Sequence, residues 1–272
     1  MLKFTKEVFN HFLNSNTFQK GASLAYYAVF SLLPMIIIIT SVLGLFYGKQ
    51  AVSGEIYTKL KDFLGSDASL QIQNIIKNQH TNHNSILTTI IGFSTLTLSA
   101  SGMLSQFHNS FNSIWNIKPK PKTGILEYLS KHFVSILILI GFILIILIST
   151  VINSFLLKYA DSLLNDYKLV YIYEHLISFV VLGFIFAIMF KFLSDAKVHW
   201  KATILGGVFT SFLFIIGKTG IGMYIGHSHL SSTFGSASVL ALLMLWVYYT
   251  SQIIFLGASF VKIISSRLGF KI

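Results

Sequence analysis

The chain has 272 residues, 54% of them hydrophobic and only 11% charged, with a mean hydropathy of +0.71. Soluble domains carry about 25% charged residues, so this balance argues against a water-soluble enzyme. The chain has no cysteine, which excludes disulfides, thiolate nucleophiles and Cys-ligated zinc. Twenty Lys and Arg stand against nine Asp and Glu, a net charge of +11 whose meaning depends on where the charges fall.

In residues 1–20, Leu2, Val8, Phe9, Phe12 and Leu13 share roughly one helical face, which predicts an interfacial amphipathic helix. The first long apolar stretch lies between Lys20 and Lys49, centred on Leu24 to Phe46. It has full span length and lacks a short basic lead with a nearby cleavage site, so it is expected to remain as a helix and not to act as a signal peptide. Residues 49–85 then carry Ile56, Leu60, Phe63 and Leu64, and after Gly65 and Ser66 a second set, Ala68, Ile72, Ile75 and Ile76. Both sets have helical spacing and predict a hairpin of two short amphipathic helices.

Five further apolar segments follow. The second span starts at Ile86 and meets no formal charge before Lys118, and the third runs from His132 to Leu157. The fourth, the shortest, lies between Glu174 and Lys191. The fifth begins at Ala202 and passes Lys218 toward Gly226, and the sixth is Phe234 to Val261. A bilayer core needs about 20 mostly apolar residues per helix, so the expected fold is all-α: a polytopic bundle of six transmembrane helices forming a single membrane domain over residues 1–272.

With the N-terminus inside, the inside segments hold thirteen of the Lys and Arg residues and the outside segments seven. Six of the nine acids fall outside, so the net charge divides as +10 inside and +1 outside. The positive-inside rule then places both termini in the cytoplasm. It also explains the basic loops without nucleic acid as a partner.

Polar side chains within spans are costly in hydrocarbon and mark places sheltered from lipid. Span one carries Ser23, Tyr27, Ser31 and Pro34 along one stripe; span six carries Trp246, Tyr249, Gln252 and Ser259 near one face. Asn112 extends a polar edge of the second segment, and Lys218 is the sole formal charge inside a hydrophobic segment. Small and hydroxylated residues also serve helix packing, as do Gly44-x-x-x-Gly48 and Gly222-x-x-x-Gly226. Packing alone does not require Gln252, Asn112 and Lys218. Pro34 predicts a kink in span one, and the glycines around Lys218 predict an opening in the fifth helix. Broken helices beside a cavity are a recurring transporter device. Lys218 either snorkels to the outer interface or contacts an anionic head group or substrate.

Several motifs stand in a recognisable order. The first span reads Ser23-Leu-Ala-Tyr-Tyr-Ala-Val-Phe-Ser-Leu-Leu-Pro34, and the second ends in Phe111-Asn-Ser-Ile-Trp115 with Pro119 and Pro121 following. Further on come Asp195-Ala-Lys-Val-His-Trp200 before Gly206-Gly207, then Phe234-Gly-Ser236, Leu245-Trp-Val-Tyr248 and Leu256-Gly-Ala258. Across nearly the whole chain this resembles the YihY/virulence factor BrkB family of bacterial inner-membrane proteins. The resemblance implies six membrane helices and a cytoplasmic N-terminus. Members carry an old ribonuclease BN label, are associated with virulence, or are proposed to move lipids or other solutes. Two positions depart from the pattern: Ser194 where a proline is common, and Ser259 where many members carry an acid.

A nuclease needs paired carboxylates for a metal or a His and Lys constellation. None of the nine acids lies inside a predicted span and no such cluster stands on the inside, so no enzymatic activity is expected. Gly217-Lys218-Thr219 matches the end of a phosphate-binding loop, but the earlier glycine would fall on Phe212 and no strand precedes it. His80, His83, His227 and His229 fall outside and are metal-ligand candidates without a paired carboxylate; the expectation is no metal and no cofactor. The expected function is passage of a lipid-like or small polar substrate, an anionic lipid among them, through a cleft formed by spans one, two, five and six. The alternative is a non-transporting scaffold for envelope assembly that uses the outside hairpin.

Overall fold

The computed structural model describes residues 2–31, 54, 69–70, 73–74, 86–117, 167–227, 238–270 and 272. Among them the chain forms six helices and no strand. These are α1 (Leu2–Asn14), α2 (17–31), α3 (Ile86–Ile114), α4 (Tyr167–Phe192), α5 (Trp200–His227) and α6 (Ser238–Arg267). The predicted third span and Pro34 lie outside the described residues. Of the predicted hairpin, Gly54, Ser69, Leu70, Gln73 and Asn74 are described, and all five are helical.

The amphipathic segment 1–20 is expected as one element, but it breaks at Ser15-Asn16. Asn16 takes a left-handed conformation, φ 51°, which asparagine tolerates better than most residues. Ser15 and Thr17 close the end of α1 with their hydroxyls, donating to the carbonyls of His11 at 2.6 Å and Phe12 at 3.1 Å. Two other helices end in a left-handed residue flanked by paired backbone bonds. At α3, Ile117 N–H donates to Asn112 O at 2.8 Å around Asn116, φ 57°. At α6, Phe270 N–H donates to Ser265 O at 2.9 Å around Gly269, φ 79°.

Among the described residues two stretches are long and apolar enough to cross a membrane, Trp200–Tyr224 and Leu240–Arg267, with Leu176–Phe192 a shorter apolar helix. Besides a buried face, two of these helices carry apolar side chains that a water-soluble protein would cover. Along α5, Ile204, Val208, Phe212 and Ile216 recur every fourth residue and are 45–56% exposed. On α4, Leu176, Val180 and Phe184 make a similar stripe. Thr203, Thr210, Ser211, Ser251 and Ser259 are buried. Apolar stripes of this length are stable only when lipid or protein covers them, and the small hydroxylated residues line helix contacts instead. The glycines around Lys218 do not open the fifth helix: α5 runs unbroken from Trp200 to His227. Glycine permits such an opening without forcing one, and the backbone ladder continues through it.

The chain divides into two compact units: Met1–Thr17 with Phe107–Ile215 and Ile253–Ile272, and Phe18–Gln106 with Ile216–Gln252. The first unit has an aromatic core. Phe111, Trp115, Phe190 and Phe255 are fully buried. Phe111 stacks on Trp115 at 5.5 Å and meets Phe190 at 5.6 Å. Its helices touch through small residues: a Cβ at Gly207 would strike α4 at Gly183, and one at Gly257 would strike Thr210 of α5. In the second unit a Cβ at Gly102 would come within 2.5 Å of the Tyr27 ring, and one at Gly21 would strike the Gln252 amide. At Gly207 the backbone of α4 itself lies where a Cβ would stand, whereas at Gly257, Gly102 and Gly21 the space is taken by a side chain of the neighbouring helix.

Candidate functional site

Seven of the nine residues picked out as cleft candidates fall in helices of the second unit: Ser23, Tyr27, Ser31, Lys218, Trp246, Tyr249 and Gln252. Ser31 is buried, Lys218 is exposed, and the other five are partly buried. The hydroxyls are held locally. Ser23 donates to Gln19 O at 3.2 Å, Ser31 to Ala28 O at 3.0 Å and Ser251 to Tyr248 O at 2.6 Å. Bonding back to the preceding turn lets a hydroxyl sit in an apolar environment without an unsatisfied donor. Tyr27 over Gly102 brings α2 to α3, and Gln252 with Ser251 over Gly21 brings α2 to α6. Two of the candidates therefore stand at helix contacts.

Asn112 belongs to the first unit and has a different setting. Its amide forms a two-point clamp: Oδ1 accepts from the Asp195 N–H at 3.0 Å and Nδ2 donates to Asp195 Oδ2 at 2.9 Å. His108, one turn earlier on α3, completes the group, with Nε2 3.4 Å from Asp195 Oδ2 and Nδ1 3.4 Å from Asn112 Nδ2. A neutral imidazole with its proton on Nε2 satisfies both contacts, donating to the carboxylate and accepting from the amide. The cluster pins the α4–α5 turn to the end of α3. From the last turn of α4, Lys191 donates to Val198 O and lies 5.5 Å from the Trp200 ring.

The same end of α3 is tied to α6. Trp115 Nε1–H donates to Ala258 O at 2.9 Å, and Lys262 Nζ donates to Trp115 O at 2.8 Å and Ile272 O at 3.3 Å. A cation on the last carbonyls of a helix offsets the negative end of its dipole. α1 closes against this region, with Phe4 edge-on to Phe260 at 5.4 Å and Glu7 accepting from Arg267 at 2.7 Å. Burial, and secondarily the charge of Lys262, holds the His11 imidazole below its ordinary pKa. Ser110, Ser259 and Ser265 are buried in this unit, and among the described residues their hydroxyls have no hydrogen-bond partner.

Sequence reasoning did not single out His108, Asp195, Trp115 or Lys262 as a group. The His108/Asn112 spacing of four was legible as one helical face, but Asp195 lies 83 residues beyond Asn112 and only folding selects it. Three of the stretches that carry the family resemblance, Phe111 to Trp115, Asp195 to Trp200 and Leu256 to Ala258, converge here. Among the described residues no group of three or more His, Asp and Glu is placed to hold a metal ion. His80, His83, His229 and the His227 side chain lie outside the described residues.

Comparison with known proteins places the chain in a family. The profile of the family described as "Virulence factor BrkB" matches residues 8–271. A "UPF0761 membrane protein" of Saccharophagus degradans is 23% identical over 270 residues, covering 97% of this chain and 60% of that protein. One of Pseudomonas aeruginosa is 25% identical over 277 residues, covering 98% and 64%, and one of Teredinibacter turnerae is 25% identical over 274 residues, covering 98% and 61%. This chain thus spans about 60–64% of the length of these curated relatives. No solved structure matches. With its apolar outward stripes and a family match running almost end to end, the chain belongs to the virulence factor BrkB family of membrane proteins.

Proposed function

We propose that this membrane protein is a transporter or translocator of a lipid-like or small polar substrate, and that it works without enzymatic chemistry. The observation that carries this reading is the gathering of Ser23, Tyr27, Ser31, Lys218, Trp246, Tyr249 and Gln252 in helices of one compact unit, while apolar side chains take the outward faces of α4 and α5. Polar groups kept from lipid by neighbouring helices are the minimum equipment of a path through the bilayer. Local bonding leaves the Ser23 and Ser31 oxygens with lone pairs to accept from a passing substrate. The exposed ammonium of Lys218 suits an anionic head group. The distribution of Lys and Arg supports six spans in the bacterial inner membrane with both termini cytoplasmic.

Purified protein reconstituted in liposomes provides the test. Movement of fluorescent phospholipids or of small polar solutes should exceed that of protein-free vesicles and should fall in Gln252→Leu and Lys218→Gln at unchanged reconstitution. No movement across a broad panel of lipids and solutes, in either direction and with or without an ion gradient, would overturn the reading.

A further inference from the structure

The packed face of α1 does not use all of its apolar surface. Val8 and Phe12 are buried, but the neighbouring Phe9 and Leu13 are 53% and 41% exposed. Alongside them, within the first unit, a groove of about 680 Å³ runs between α1, Phe209 of α5, and Leu256 and Phe260 of α6. That size lies within the range of about 300–1,000 Å³ typical of sites for small organic ligands. Its floor is aromatic: Phe209 and Phe260 stack at 4.3 Å with 11° between their planes. Its rim carries Lys3 and Lys6, both exposed. The acid on the same helix, Glu7, is engaged by Arg267 at 2.7 Å, and among the described residues neither lysine pairs with a carboxylate. The rim is therefore positive over an apolar floor.

We propose that this groove is a binding site for an anionic phospholipid, with one acyl chain along Phe9, Phe209, Leu256 and Phe260 and the phosphate between Lys3 and Lys6. Charge complementarity selects this occupant. An apolar helix partner would satisfy the floor and leave two ammonium groups without a counter-charge, and a free anion would satisfy the rim and leave the aromatic floor wet. A molecule with an apolar tail and a negative head satisfies both, at the depth where an amphipathic helix meets lipid. The site lies in the first unit and is independent of the transport reading: a silent transport assay leaves it standing, and its own failure leaves transport untouched.

The test uses the full chain in a mild non-ionic detergent and a phosphatidylglycerol carrying a photoreactive group on its acyl chain. After irradiation, cross-linked peptides should map to residues 3–9 and 256–260. Unlabelled phosphatidylglycerol should displace the probe about 25-fold better than phosphatidylcholine, from about 1 kcal/mol for each of two lysines near an anionic head group. In K3Q/K6Q, which changes only exposed side chains, that preference should vanish while phosphatidylcholine displaces as before. Phe9→Ser should weaken displacement by both lipids alike. Labelling elsewhere, a preference that survives in K3Q/K6Q, or displacement by inorganic phosphate as effective as by phosphatidylglycerol would each overturn the proposal.

Discussion

Among the described residues the two compact units differ in how far their polar side chains reach, although hydroxyls bonded back to their own helix, such as Thr210, occur in the first as well. In the first, side chains bond across long stretches of sequence: Asn112 to Asp195 over 83 residues, Trp115 to Ala258 over 143 and Arg267 to Glu7 over 260. In the second, Ser23, Ser31 and Ser251 bond to carbonyls three or four residues away on their own helices. Long-range bonds specify which elements meet, whereas back-bonded hydroxyls keep a polar surface tolerable without specifying a partner. Substitutions in the first unit should therefore act on folding, and polar substitutions in the second should act on function at small cost in stability.

The largest effect should come from the Trp115 indole. Trp115→Ala removes a fully buried ring stacked on Phe111 and the bond to Ala258, and should cost about 3–5 kcal/mol in thermal unfolding followed in detergent. Next comes the clamp: Asn112→Ala leaves the Asp195 carboxylate short of a donor and should cost about 2–3 kcal/mol, with His108→Ala costing less. A tolerated Asn112→Ala would break the contrast between the units.

Within the second unit the glycine contact should be the sensitive point. Gly102→Ala forces the Tyr27 ring to move and should cost about 1–3 kcal/mol; Tyr27→Ala in the same chain should restore part of the loss in a double-mutant cycle. Gln252→Leu should shift stability by less than about 1 kcal/mol and reveal itself in a transport assay. A large loss of stability with normal transport would make Gln252 a packing residue and sharpen the division differently.

The smallest effect is a pH dependence at His11. Its pKa is lowered in the folded chain, so the unfolded chain binds the proton first as pH falls below the ordinary imidazole value of 6.5. Stability should decline modestly from there down to the folded-state pKa and be flat above 6.5. In His11→Gln that part of the slope should disappear.

Much of the helical plan is legible in the chain itself. The second, fourth, fifth and sixth apolar intervals correspond to α3, α4, α5 and α6, because uninterrupted apolar sequence has no stable alternative to a helix in lipid. The break at Ser15-Asn16 was missed because amphipathic periodicity continues across it while two short polar side chains stop the backbone ladder. The unbroken course of α5 was also misjudged, since glycine lowers the cost of opening a helix and supplies no force that opens it.

Membrane residence was legible in the sequence alone, since hydropathy is a local property. Only the tertiary structure decided that Asn112 grips Asp195, that Lys262 caps the end of α3, and that Lys3 and Lys6 rim an aromatic groove. Each of these pairs a residue with a partner distant in the chain. A periodic pattern names the face a side chain occupies, but packing of whole helices chooses what it meets there.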